Sequence, residues 1–127
     1  APAVRERLEA AGVRTISGHA AAHLDRSAAA AVASDAVPDD NPELVAAQER
    51  GIPVFRRPEA MASALAGLRL IAVAGTHGKT TTTGMAARVL IDAGMDPTVL
   101  VGGDFDFLGG GNARVGGSSW AVVEACE

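Results

Sequence analysis

The stretch LRLIAVAGTHGKTTTTGMAARVLIDAG, residues 68–94, decides the fold. Its apolar run from Leu70 to Ala74 predicts a buried strand, Gly75-Thr76-His77-Gly78 a tight turn, and Thr80 to Ala93 a helix ended by Gly94. Strand, glycine turn and helix in that order suit a polyphosphate. Loop N–H groups wrap the anion, the helix N-terminus adds partial positive charge, Lys79 supplies a mobile cation, and Thr80 offers a hydroxyl oxygen to magnesium. The candidate nucleotide contacts are therefore Gly75, Thr76, His77, Gly78, Lys79, Thr80 and Thr81, with Lys79 and His77 as candidate catalytic residues and ATP with Mg2+ as the implied ligands. The strict phosphate-loop pattern asks for a glycine five residues before Gly78, and Val73 stands there, so only the shorter form Gly-Thr-His-Gly-Lys-Thr-Thr applies. The bland alternative is a glycine turn at a helix start with a solvated lysine. For His77 the alternatives are packing within the turn or a place near the γ-phosphate or the substrate carboxylate.

Downstream, Thr98 to Val101 reads as a strand, and Gly102 to Gly117 as a long glycine-rich loop. Ser118 to Glu124 reads as a further strand that ends in a carboxylate. A carboxylate at the carboxyl end of a strand beside a phosphate loop is placed to hold magnesium, directly or through water, because that ion prefers oxygen ligands. Thr80 and Glu124 are thus the candidate metal ligands, against the alternative of a strand-end glutamate facing solvent.

Upstream, Ala3 to Ala11 places Val4, Leu8 and Ala11 on one helical face, with Gly12 as its cap, and Val13 to Ser17 is a candidate strand ending at Gly18-His19. Ala20 to Ser27 reads as a turn or short helix. Ala28 to Ser34 reads as a strand by its place in the alternation, although alanine itself favours helix. After the turn at 37–40, Asn41-Pro42-Glu43 starts a helix: asparagine caps, proline fits the first turn, and glutamate meets the positive end of the dipole. That helix runs to Arg50 and ends at Gly51; Ile52 to Phe55 is a strand and Pro58 to Leu65 a helix. Repeated strand and helix with right-handed crossovers predicts a parallel sheet. The fold class is therefore α/β, a partial Rossmann-like domain over 1–67 followed by the start of a P-loop ATPase domain over 68–127, with the boundary near Gly67. Because a phosphate-loop domain needs further strands and the chain opens on a helix-like segment, a piece cut at both ends is expected.

With 127 residues, 48% of them apolar, the chain can bury one core or two small ones. Its apolar runs are too short to span a bilayer, and its first residues lack the order of a signal peptide, so no membrane partner and a cytoplasmic location are expected. The lone Cys126 excludes a disulfide framework and a multi-cysteine zinc site, in keeping with a reducing compartment. A net charge of -4 with 3% aromatics argues against a nucleic-acid surface. Nothing in the sequence gives an oligomeric state.

The short loop at 75–81 resembles that of the Mur ligase family, ATP-dependent amide-forming enzymes of peptidoglycan synthesis, and His77 resembles the branch that acts on UDP-N-acetylmuramate. The family's acidic signature commonly reads Glu-Ala-Asp-Glu; here it is Glu124-Ala125-Cys126-Glu127, which supports Glu124 as a magnesium ligand and departs at Cys126, read as a small buried thiol. Gly102-Gly103, Asn112-Ala113 and Gly116 resemble the segment preceding that signature in the L-alanine-adding branch rather than the tripeptide-recycling one. Gly18-His19 and Ser34-Asp35-Ala36 match places where the family's first domain binds UDP-sugar. The resemblance therefore implies His19, Ser34 and Asn112 as weaker substrate candidates. It implies UDP-N-acetylmuramate and L-alanine as substrates, with ATP activating the lactyl carboxylate as an acyl phosphate that the amine then attacks. Rival readings are a tripeptide-recycling or folylpolyglutamate-type ligase and, from another class, a non-catalytic nucleotide-binding or P-loop switch module.

Overall fold

The first compact unit, Ala1–Ala60, shows how short polar signals set its local structure. The chain's computed structural model describes residues 2–125, so Cys126 and Glu127 lie outside the described residues. Helix α1 (Pro2–Ala10) ends as its sequence predicts: Gly12 takes φ 82°, and the Gly12 and Val13 N–H groups reach back to the Glu9 and Leu8 carbonyls. A single 3₁₀ turn at Ala21–His23 precedes strand β1 (Ala31–Ala33), which pairs in parallel with β2 (Val54–Arg56). Between them lies α2 (Pro42–Glu49). The Asn41 side chain accepts the Glu43 N–H at 2.9 Å, Pro42 occupies the first turn, and Leu44, Ala46 and Ala47 are buried. Two arginines staple the connections: Arg50 donates to Leu24 O and Ala21 O, and Arg56 to Ser34 O, Val37 O and the Asp39 carboxylate. The expected strand at Val13 to Ser17 is not formed, a correction. A strand exists only through its partner, and the only sheet in this unit's described residues is β1–β2, which leaves Val13 and Ile16 exposed.

The second unit, Met61–Glu127, contains the end of α3 (Arg57–Ala64), so the division between the units falls inside that helix, upstream of Gly67. Its sheet has the order β3-β6-β4-β5, from β3 (Arg69–Val73), β4 (Thr98–Phe105), β5 (Gly111–Arg114) and β6 (Trp120–Glu124). β6 runs parallel to both β3 and β4, whereas β5 is antiparallel to β4. The parallel sheet expected of the block before Gly67 is found there in β1–β2, while this second sheet is mixed. The stretch Gly102 to Gly117, expected as a loop, is mostly a hairpin: β4 continues to Phe105, a 3₁₀ turn spans Asp106–Leu108, Gly109 and Gly110 turn at positive φ, and β5 returns. Glycine weakens a strand but does not forbid the ladder, and the register irregularity between Leu100 and Phe105 absorbs the misfit.

Helix α4 (Lys79–Asp92) covers one face of this sheet, where Ala87, Val99, Val101 and Val122 form a core joined by Ile71, Leu90 and Phe105. On the other face Leu65, Ala121 and Val123 pack with Leu68 and Leu100. β6 is thus buried on both faces, which its unbroken Ala121-Val122-Val123 run encodes. The fit between helix and sheet depends on Gly84, where an added Cβ would lie 2.3 Å from Phe105 Cζ. Gly84→Ala gains helix propensity of about 1 kcal/mol but forces overpacking that costs about 1–3 kcal/mol. A net loss of roughly 1 kcal/mol in urea unfolding is expected, with the penalty shrinking when Phe105→Leu is added. Equal penalties in both backgrounds would show that Phe105 is not the obstacle.

Candidate functional site

The loop between β3 and α4 has the backbone that its glycines permit. Gly75 takes φ 143° and Gly78 φ 74°, values that side-chain-bearing residues rarely adopt. Gly78 is the N-cap of α4 and makes no side-chain cap, so the amide groups of the first turn are not capped by a side chain there. Lys79 opens the helix, half-buried, and its Nζ donates back to Gly75 O at 2.5 Å. His77 is exposed at the crest of the loop, as are Thr76 and Thr81. Thr83, one turn on, is fully buried and bonds Lys79 O at 2.8 Å, so the third threonine after Thr80 serves the helix rather than a ligand.

The parallel register of β3 with β6 sets Val73 opposite Glu124, which brings the carboxylate to the root of the loop. Thr80 Oγ1 donates to Glu124 Oε1 at 3.1 Å, and Gly102 N donates to Oε2 at 2.6 Å. Lys79, Thr80, Glu124 and the backbone of β4 therefore meet at the carboxyl edge of the sheet, the edge at which open α/β sheets bind ligands. The donor set fits magnesium: one carboxylate and one hydroxyl are hard oxygen ligands, and they leave room for water and phosphate oxygens. The glycine backbone and first turn of α4 likewise fit a polyphosphate. Asn112 does not join this group; it is exposed on β5, separated from β3 by β4 and β6.

In the first unit, His19 and Ser34 line one cavity of about 220 Å³ just beyond the end of β1, together with Asn41 and Glu43. Glu43, which the sequence marked only as a helix-start residue, is its hub: Oε1 lies 3.4 Å from both His19 Nδ1 and His23 Nδ1 and accepts the Ala20 N–H. His23 has a buried Nδ1 that meets no hydrogen-bond geometry. Two larger cavities hold none of the sequence-derived candidates. One, about 690 Å³, is lined by Arg14, Arg26 and Arg50; the other, about 370 Å³, is apolar and lies on α4 at Met85 and Val89. A phosphate site built from loop amides needs no enclosed cavity, so volume does not decide here.

The fold is α/β with a glycine loop between a strand and a helix, and comparison with known proteins places it. The family model for the Mur ligase family, catalytic domain, matches residues 1–69, and the chain belongs to that family. That match ends within β3, before the loop, but similarity to individual relatives continues through it. The chain is 51% identical, over 98% of its length, to the UDP-N-acetylmuramate--L-alanine ligase of Solibacter usitatus (strain Ellin6076). Its structure is similar to that of the UDP-N-acetylmuramate-alanine ligase MurC from Thermotoga maritima, with a TM-score of 0.86 and 35% identity, covering 92% of this chain and 27% of that one. It is also similar to the UDP-N-acetylmuramate:L-alanyl-gamma-D-glutamyl-meso-diaminopimelate ligase from Neisseria meningitides, with a TM-score of 0.85 and 32% identity, covering 98% of this chain and 42% of that one. The chain spans about a quarter of the length of the curated relatives it matches, 26% for the Solibacter protein. Among the described residues, no helix is long and apolar enough to cross a membrane.

Proposed function

We propose that this chain forms the junction between the UDP-sugar-binding and ATP-binding parts of a cytoplasmic UDP-N-acetylmuramate:L-alanine ligase of peptidoglycan precursor synthesis. The observation that carries the reading is the 51% identity over 124 residues to a ligase of that name, with the loop and Glu124 inside the aligned span. On this reading residues 1–67 belong to the sugar-nucleotide part and 68–127 to the ATPase part. ATP supplies the phosphoryl group that activates the lactyl carboxylate, and magnesium screens the phosphate charge during transfer. The loop amides at 75–78 and the start of α4 bind the phosphates, and Lys79 gives up its bond to Gly75 O to neutralise charge developing on them. Thr80 and Glu124, already joined at 3.1 Å, hold the metal. His77 stands at the crest, where it can meet the γ-phosphate or the carboxylate. His19 and Ser34, with Glu43 between the loops, form a wall for part of the sugar nucleotide.

The tripeptide-ligase alternative keeps one observation in its favour: the Neisseria structure matches the fold with nearly the same TM-score as the Thermotoga one. Fold therefore does not separate the two. A protein of the relatives' full length carrying this stretch, called the full-length ligase below, is expected to release phosphate from ATP only when UDP-N-acetylmuramate and L-alanine are both present. The isolated 127-residue chain is expected to release none. Release that accepts the tripeptide in place of L-alanine would transfer the reading to the recycling enzyme. ATP turnover indifferent to the sugar nucleotide would remove both.

A further inference from the structure

We infer that Gly102 and Gly103 are positioning residues that aim the Thr80–Glu124 pair, through a backbone donor and through the absence of side chains. The inference rests on the metal- and nucleotide-binding reading above, and it concerns why two consecutive glycines stand inside β4.

Glycine usually occupies a turn because the backbone needs positive φ. That reason fails here, since neither Gly102 nor Gly103 is among the glycines with positive φ in the described residues. Both lie in the interior of an eight-residue strand, where glycine weakens pairing and packs nothing. What their missing side chains provide is clearance. A Cβ on residue 102 would lie 2.8 Å from Glu124 Oε2 and 3.0 Å from its Cδ and Oε1; a Cβ on residue 103 would lie 3.0 Å from Thr80 Cγ2. The two glycines therefore touch the two metal candidates, one each.

The Gly102 N–H completes the device. It holds Glu124 Oε2 at 2.6 Å while Thr80 Oγ1 holds Oε1 at 3.1 Å, so the carboxylate is fixed at both oxygens, from the sheet and from the helix. Fixing a ligand through a second contact is how outer partners tune a metal site. The carboxylate is the far end of a flexible side chain. A methyl group at 102 would push it aside without unfolding the strand. Thr80 is stiffer, being β-branched in the first turn of α4. A methyl group at 103 would press on Cγ2 and turn Oγ1 away from Glu124.

The test is made on the full-length ligase and reads ADP affinity with Mg2+ and with the metal chelated, alongside urea unfolding. Gly102→Ala is expected to keep the unfolding midpoint and the metal-free ADP affinity while losing at least about tenfold of the affinity that Mg2+ adds. Gly103→Ala is expected to lose in the same direction, and Gly103→Ala/Thr80→Ser to recover, because serine keeps the hydroxyl and drops the offending methyl. An unchanged Mg2+ gain in Gly102→Ala overturns the inference. So does a Gly103→Ala defect, in binding or in folding, that Thr80→Ser leaves unrepaired. Wild-type protein whose ADP affinity ignores Mg2+ overturns the underlying reading as well, and that outcome is visible before any variant is made.

Discussion

Replacing Lys79 with alanine is expected to lower turnover of the full-length ligase at least about tenfold while the fold persists. A hydrogen bond to a charged group is worth about 1.5–3 kcal/mol, and about 1.4 kcal/mol is a factor of ten in rate. One lost contact to the transferring phosphoryl group already reaches that figure, and Lys79 can make more than one. The fold should survive because Lys79 Nζ bonds Gly75 O within the loop itself, and alanine is the better helix former at the start of α4. Steady-state phosphate release and urea unfolding, measured together, decide it. Turnover and ATP affinity that both stay at the parent level would reduce the loop to a structural turn with a solvated lysine.

Glu124→Gln is the second large effect. Glutamine keeps the shape but has one amide oxygen: with that oxygen accepting from Gly102 N, its NH2 group faces Thr80 Oγ1, a hydroxyl that can turn and accept, so the sheet edge has no reason to move. The lost charge is another matter: a hard divalent cation held as proposed by Thr80 and Glu124 would lose its carboxylate ligand. Loss of at least about tenfold in the Mg2+ dependence of nucleotide binding is expected, judged by the 10–100-fold typical of lesser changes around metal sites. Binding of the sugar nucleotide, assigned to the other part of the chain, should be unaffected. Calorimetric titration with each ligand separates the two, and equal weakening of both would show a folding defect instead.

Local signals were readable where one short stretch holds the whole interaction. Asn41 caps within two residues, Gly12 and Gly51 close their helices within five, and the loop from Gly75 to Thr80 carries its own geometry. Readings that depended on a distant partner fared differently. Val13 to Ser17 has strand composition but no strand beside it, and Gly102 to Gly117 has loop composition but pairs because Val99 and Leu100 meet Arg114 and Ala113. Composition cannot announce a ladder whose other half lies elsewhere. The same holds at the site. Glu124 was legible as a carboxylate at a strand end, but Glu43 between two histidines and Gly102 under a carboxylate become visible only when register and packing are known.

β6 follows β4 and β5 along the chain yet lies between β3 and β4 in the sheet. Until residues 120–124 are made, β3 has no hydrogen-bonding neighbour among the described strands, and β4 has only its hairpin partner. During synthesis, then, the helix and loop can form early, but the sheet beneath them waits for a strand about fifty residues downstream, a non-local closure that slows folding. Glu124 travels on that strand. The carboxylate arrives with the wedge that locks the sheet, so a nascent chain acquires its candidate metal ligand only in the step that seals its core. Amide exchange should show β3 and β6 becoming protected together, later than the β4–β5 hairpin.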